Sequence, residues 1–150
     1  MNITQALIQW AIGFTVTMGF AVLFSVPRRV LFSVAAVGAF GHLLRIILKT
    51  EGVAIEVATL FGALFVGLAG YWQARRVQTP RLLFTITGII VMVPGVPAYE
   101  MIMFFRNNDI LEGIQSGFRV AMITGAIAAG LSIARALTEL EWRRTEQEED

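Results

Sequence analysis

A chain of 150 residues that is 56% hydrophobic and only 15% charged stands well away from a water-soluble domain, which carries roughly 45–50% apolar and 25% charged residues, and it reads as an integral membrane protein. A net charge of +1 with no basic run interleaved with aromatics argues against a nucleic-acid partner, and the lack of cysteine removes disulfides, thiolate metal sites and cysteine nucleophiles. The single histidine removes a multi-histidine metal centre, and no metal or other cofactor is expected.

Crossing a hydrocarbon layer of about 30 Å takes about 20 helical residues. Five stretches reach that length, so the expected fold is an all-α membrane protein with spans at about 3–26, 30–48, 53–72, 82–105 and 114–137. The first has no Lys or Arg in residues 1–9, so it lacks the basic start of a secretory signal and is expected to be retained. The second ends Pro27-Arg28-Arg29 on one side and Lys49-Thr50-Glu51-Gly52 on the other. At 100° per residue its Ala35, Gly38, His42, Arg45 and Lys49 share one stripe. Glu56, Thr59, Ala63, Gly67 and Gly70 make a similar stripe on the third span, and Ser116, Arg119, Ala126 and Gly130 on the fifth. Small residues let helices approach closely, so these stripes are expected to face other helices rather than lipid. Residues 138–150 form a charged tail behind a Trp142-Arg143-Arg144 anchor.

The fourth span holds the sharpest feature, Pro94-Gly95-Val96-Pro97 followed by Tyr99 and Glu100. Two prolines three apart remove backbone donors and disfavour helix at the residue before each, so the helix is expected to break there. Pro97 suits the first position of a second half-helix, whose free N–H groups and positive dipole end would then sit at membrane depth. Charged groups inside a span cost several kcal/mol, so Arg45, Glu56, Glu100 and Arg119 call for a role. Arg45, Arg119 and the break, with Pro94, Gly95, Pro97 and Tyr99, are the candidate substrate-binding set. His42, Glu56 and Glu100 are candidates for proton coupling or charge pairing, His42 being the one group that titrates near neutrality without a shifted pKa.

Enzyme motifs are missing: there is no H-E-x-x-H, no G-x-S-x-G and no phosphate loop ending G-K-[ST]. The stretches Val26-Pro27-Arg28-Arg29, Gly38-x-x-Gly41-His42-x-x-Arg45, Phe61-x-Ala63 with Gly67, and Val93-Pro94-Gly95-x-x-x-Tyr99 resemble the small integral-membrane component of the threonine/serine exporter family. The resemblance implies a five-span half of a bipartite exporter of small carboxylates, either hydroxy amino acids or dicarboxylates such as succinate. The other half would be a larger integral-membrane subunit of the same family, with self-association as the second way to cover a charged face. A structural or assembly subunit without its own substrate site is the alternative.

Charge sets the expected orientation. In a five-span arrangement Arg28, Arg29, Arg75, Arg76, Arg81, Arg135, Arg143 and Arg144 fall on one side, whereas the other side has Lys49 and Arg106 with Arg45 and Arg119 in the spans. The amino terminus is therefore expected outside a bacterial inner membrane and the carboxyl terminus in the cytoplasm. Reporter fusions test this: a fusion after Asn107 should report outside and one after Gln78 inside, and a cytoplasmic signal at Asn107 reverses the assignment.

Overall fold

In hydrocarbon a backbone N–H or C=O has no water to bond, which favours segments that satisfy their own groups, and among the described residues there is no strand. The computed structural model describes residues 2–148, with side chains as far as Glu139. Helices α1 (Ile3–Leu23), α2 (Leu31–Thr50) and α3 (Ile55–Arg76) are followed by a short α4 (Arg81–Ile89), a single 3-10 turn (Ile90–Met92), α5 (Gly95–Arg106) and α6 (Ile110–Glu148). The helices α1, α2, α3 and α6 are each long and apolar enough to span, and α4 with its 3-10 turn, taken together with α5 across a bend of 49°, is long and apolar enough to make a fifth. The side chains of the Trp142-Arg143-Arg144 anchor and of the acidic residues behind it lie outside those the structure describes.

Four helix ends share one device. After α1, α2, α3 and α5 the chain enters a left-handed residue, respectively Ser25, Gly52, Gln78 and Asn108. The following N–H then reaches back five residues, as in Val26 to Ala21, Val53 to Leu48, Thr79 to Ala74 and Asp109 to Phe104. The left-handed residue itself donates to a carbonyl three residues back in each case. This pair of bonds satisfies carbonyls that a helix end would otherwise leave bare. Ser25 and Gln78 adopt the left-handed backbone at a cost of roughly 1–2 kcal/mol each. That is why the first helix stops at Leu23, before the predicted limit at Val26. Three buried threonine hydroxyls bond back to their own helix: Thr59 donates to the Ile55 carbonyl, Thr87 to Leu83 and Thr138 to Ala134, whereas the buried Thr17 hydroxyl has no partner among the described residues.

The centre of the bundle is α2, α3 and α4, with α1 packed on α2 and touching α4 and the 3-10 turn, α6 against α3, and α5 against α6. Val30, Val34, Val66, Phe84 and Met92 are fully buried at this centre. Helix crossings fall where side chains are smallest. A methyl group added at Gly38 would lie 3.1 Å from the Gly88 Cα, and one at Gly62 would lie 3.0 Å from the Gly41 carbonyl oxygen. Where α6 crosses α3, a methyl group at Gly130 would meet the Leu60 carbonyl oxygen at 2.5 Å. The predicted small-residue stripe on α3 faces inward, with Thr59, Ala63 and Gly70 buried. Bulky apolar side chains such as Ile8, Phe32, Phe61 and Ile133 point outward.

These crossings generate a stability test. Gly130→Ala should destabilise the bundle by roughly 1–3 kcal/mol, because its neighbour is backbone and must move. Gly125→Ala, which meets nothing within 4 Å, should be neutral or gain up to about 1 kcal/mol of helix propensity. Denaturant titration in detergent micelles, followed by helicity, compares the two.

Candidate functional site

The site begins with the two prolines. In an unbroken helix Pro94 and Pro97 would donate to the carbonyls of Ile90 and Val93, and having no N–H they leave both without their usual donor. The chain resolves this locally. Val93 donates to the Ile90 carbonyl at 3.2 Å, and Gly95 to the Val93 carbonyl at 2.8 Å. The break therefore occupies Val93 and Pro94, and it displaces Val96 from the Met92 carbonyl that it would have bonded. Arg45 takes that carbonyl instead, its Nη1 donating to the Met92 oxygen at 3.2 Å.

The second half-helix differs in detail from the sequence expectation. It starts at Gly95, so Pro97 sits at its third position rather than its first. Gly95 is already bonded to Val93 and Pro97 has no N–H, which leaves Val96 as the open donor of the first three positions. The helix start is thus a weaker anion cradle than three free N–H groups would make.

Charged side chains supply what the backbone does not. A cavity of about 520 Å³ opens beside the break, bounded by Arg45 and Lys49 of α2, Ile55 and Glu56 of α3, residues Val93 to Pro97, and Arg119 and Ile123 of α6. Three cations face one carboxylate. Helix ends account for two of these charges: Lys49 lies in the last turn of α2 and Glu56 in the first turn of α3, where the helix dipole favours those signs. Arg45 is half-buried on the Met92 carbonyl, and its Nε is buried with no hydrogen-bond partner among the described residues. Lys49 was not in the sequence-derived set, although its spacing of four from Arg45 places it on the same face.

Of the nine sequence candidates, Arg45, Glu56, Pro94, Gly95, Pro97 and Arg119 line this cavity. Glu100 does not. It borders a neighbouring space of about 240 Å³ with Phe104, Glu112, Gln115, Ser116 and Arg119, so Arg119 stands between the two. Tyr99 is 63% exposed on the outside of α5. His42 faces α1, where its Nε2 lies 3.3 Å from the Gln9 Oε1 and its ring packs over Gly13. The structure thus separates His42 from Glu100. Gln9 escaped notice in the sequence because it is an isolated amide in an apolar span.

A helical bundle with four helices long enough to span, a bent pair that offers a fifth, and a cation-rich cavity beside the break has the build of a multi-pass membrane protein of the transport class. The assignment sharpens with the sequence family: the threonine/serine exporter model, ThrE, matches residues 9–137, and the chain belongs to that family. No solved structure matches it.

Water access to the cavity is open to direct measurement, because the chain has no native cysteine. Val96→Cys, on the cavity wall, should react readily with a membrane-impermeant thiol reagent. Ile12→Cys, exposed on α1 but facing lipid, should react slowly. Equal rates at the two positions would remove the aqueous cavity.

Proposed function

We propose that this chain is one subunit of a bipartite secondary exporter that moves a small carboxylate, a hydroxy amino acid or a dicarboxylate such as succinate, across the bacterial inner membrane. Its partner in this reading is the larger integral-membrane subunit of the same family. The amino terminus faces the periplasm and the carboxyl terminus the cytoplasm. The observation that carries the proposal is the gathering of Arg45, Lys49 and Arg119, from two helices, around a cavity that holds Glu56 as its carboxylate. Such a cavity retains excess positive charge, and an anionic ligand relieves it.

The roles divide by position. Arg45 and Arg119 hold the substrate carboxylate, with the Val96 N–H at the start of α5 adding a donor. Lys49 stands one turn outward of Arg45, where it draws anions toward the cavity. Glu56 pairs with whichever cation the substrate leaves free. Glu100 lines its smaller space together with Arg119, which supports a charge-pairing role for it there, and His42, beside Gln9, is the candidate for a coupling proton. With no nucleotide-binding loop in this chain, export draws on an ion gradient or on the substrate's own gradient. The chain is a carrier component, not an enzyme.

Replacing one charged donor to a carboxylate removes roughly 1.5–3 kcal/mol. Arg119→Ala should therefore raise the half-saturating substrate concentration by about 10–100-fold. Arg45→Ala should abolish efflux while a tagged chain still recovers its partner subunit from membranes. Efflux of labelled serine and of labelled succinate, run beside that pull-down, decides the matter. Lost assembly with Arg45→Ala favours a structural subunit, and normal efflux by both variants ends the proposal.

A further inference from the structure

Met92 stands where the two halves of the site meet. Its side chain is completely buried although Val93 beside it is half exposed. The thioether lies in a notch between α2 and α3: a methyl group at Gly62 would meet its Sδ at 3.1 Å, and one at Gly41 would meet its Cε at 2.9 Å. The same methyl at Gly62 would lie 3.3 Å from the Cβ of Arg45. One notch therefore seats both the last residue before the break and the arginine that bonds its carbonyl.

From this we infer that Met92 is the positioning residue of the cavity. Its side chain anchors the break and its carbonyl holds Arg45, so the aim of that guanidinium and the tilt of α5 are one coupled setting. A carboxylate that draws Arg45 from the carbonyl loosens α5. Only this release step rests on the carboxylate reading above.

Two physical features support the coupling. The Met92 carbonyl is a neutral acceptor and leaves the charge of Arg45 uncompensated, whereas a hydrogen bond to an ionised acceptor is roughly twice as strong, so a carboxylate competes well for the same donor. The element released is lightly held. No residue of α5 is buried, its main packing is on α6 through Phe105 over Gly113 and Met101 over Gly117, and Gly95 at its start has open space around it.

Spin labels at Val57→Cys on α3 and Ile102→Cys on α5, both exposed positions, report the angle of α5 in the otherwise cysteine-free full chain reconstituted in liposomes. Without ligand, the unmodified background should give one narrow distance distribution. Arg45→Ala and Met92→Ala should both broaden it, and Met92→Leu, which refills the notch and keeps the carbonyl in place, should restore the narrow form. Saturating succinate or serine should shift the unmodified background toward the Arg45→Ala distribution and leave Arg45→Ala itself unmoved.

An unchanged distribution in Arg45→Ala overturns the inference, and that arm decides if Met92→Ala does not fold. If a carboxylate raises the melting temperature of the chain yet leaves the distances unchanged, the release step is overturned and the carboxylate reading stands. If neither carboxylate shifts melting or distance, the carboxylate reading falls together with the release step, and the ligand-free variants still judge the positioning role of Met92.

Discussion

Satisfying the backbone where the fourth span breaks is the constraint on which the rest of the site depends. Two prolines leave two carbonyls without their usual donors, two local N–H groups cover them, and the rearrangement frees the carbonyls that Gly95 and Val96 would have met, of which that of Met92 is taken by a side chain from another helix. That requirement gives a reason for an arginine on α2 at this depth. It also requires α2, α3 and the break to lie close together, which the bare backbones of Gly41 and Gly62 permit. The charged cavity is a by-product of the same geometry, since the bend that turns α5 away from the bundle centre opens the space that Arg45 then borders.

An arginine bonded to a carbonyl is satisfied in hydrogen-bond terms but not in charge. In a continuous hydrocarbon environment such a residue would be expensive, and adding Lys49 and Arg119 to the same cavity would compound the cost. The arrangement makes sense where water or an anion enters from one end and where protein covers the sides. Membership of an exporter family is consistent with both conditions.

Much of this was legible in the sequence because lipid imposes simple rules. Span number followed from length and hydropathy, inward faces from small residues at helical spacing, and the break from Pro94 and Pro97. The misses have physical causes too. Left-handed ends at Ser25 and Gln78 were invisible because neither residue type favours that backbone, and the pattern of two hydrogen bonds emerges only in three dimensions. The start of α5 was placed two residues late because proline is tolerated at several first-turn positions, and sequence does not say which. Grouping His42 with Glu100 failed because periodicity places a residue on a face of its own helix but not opposite a particular neighbour. His42 and Arg45 are one turn apart on α2, yet one meets α1 and the other the cavity.

Helix α6 has 39 residues and no break, which makes it about 58 Å long, nearly twice the thickness of a hydrocarbon layer of about 30 Å. Its first turns carry α5 and border the cavity, and its second half packs along α3, with Gly130 against Leu60 and Ala134 against Gly67. A rod seated along this length of α3 and carrying α5 on its first turns is a stiff strut between the two. A displacement of α5 is then carried to α3 through one continuous helix, with no break between them to absorb it.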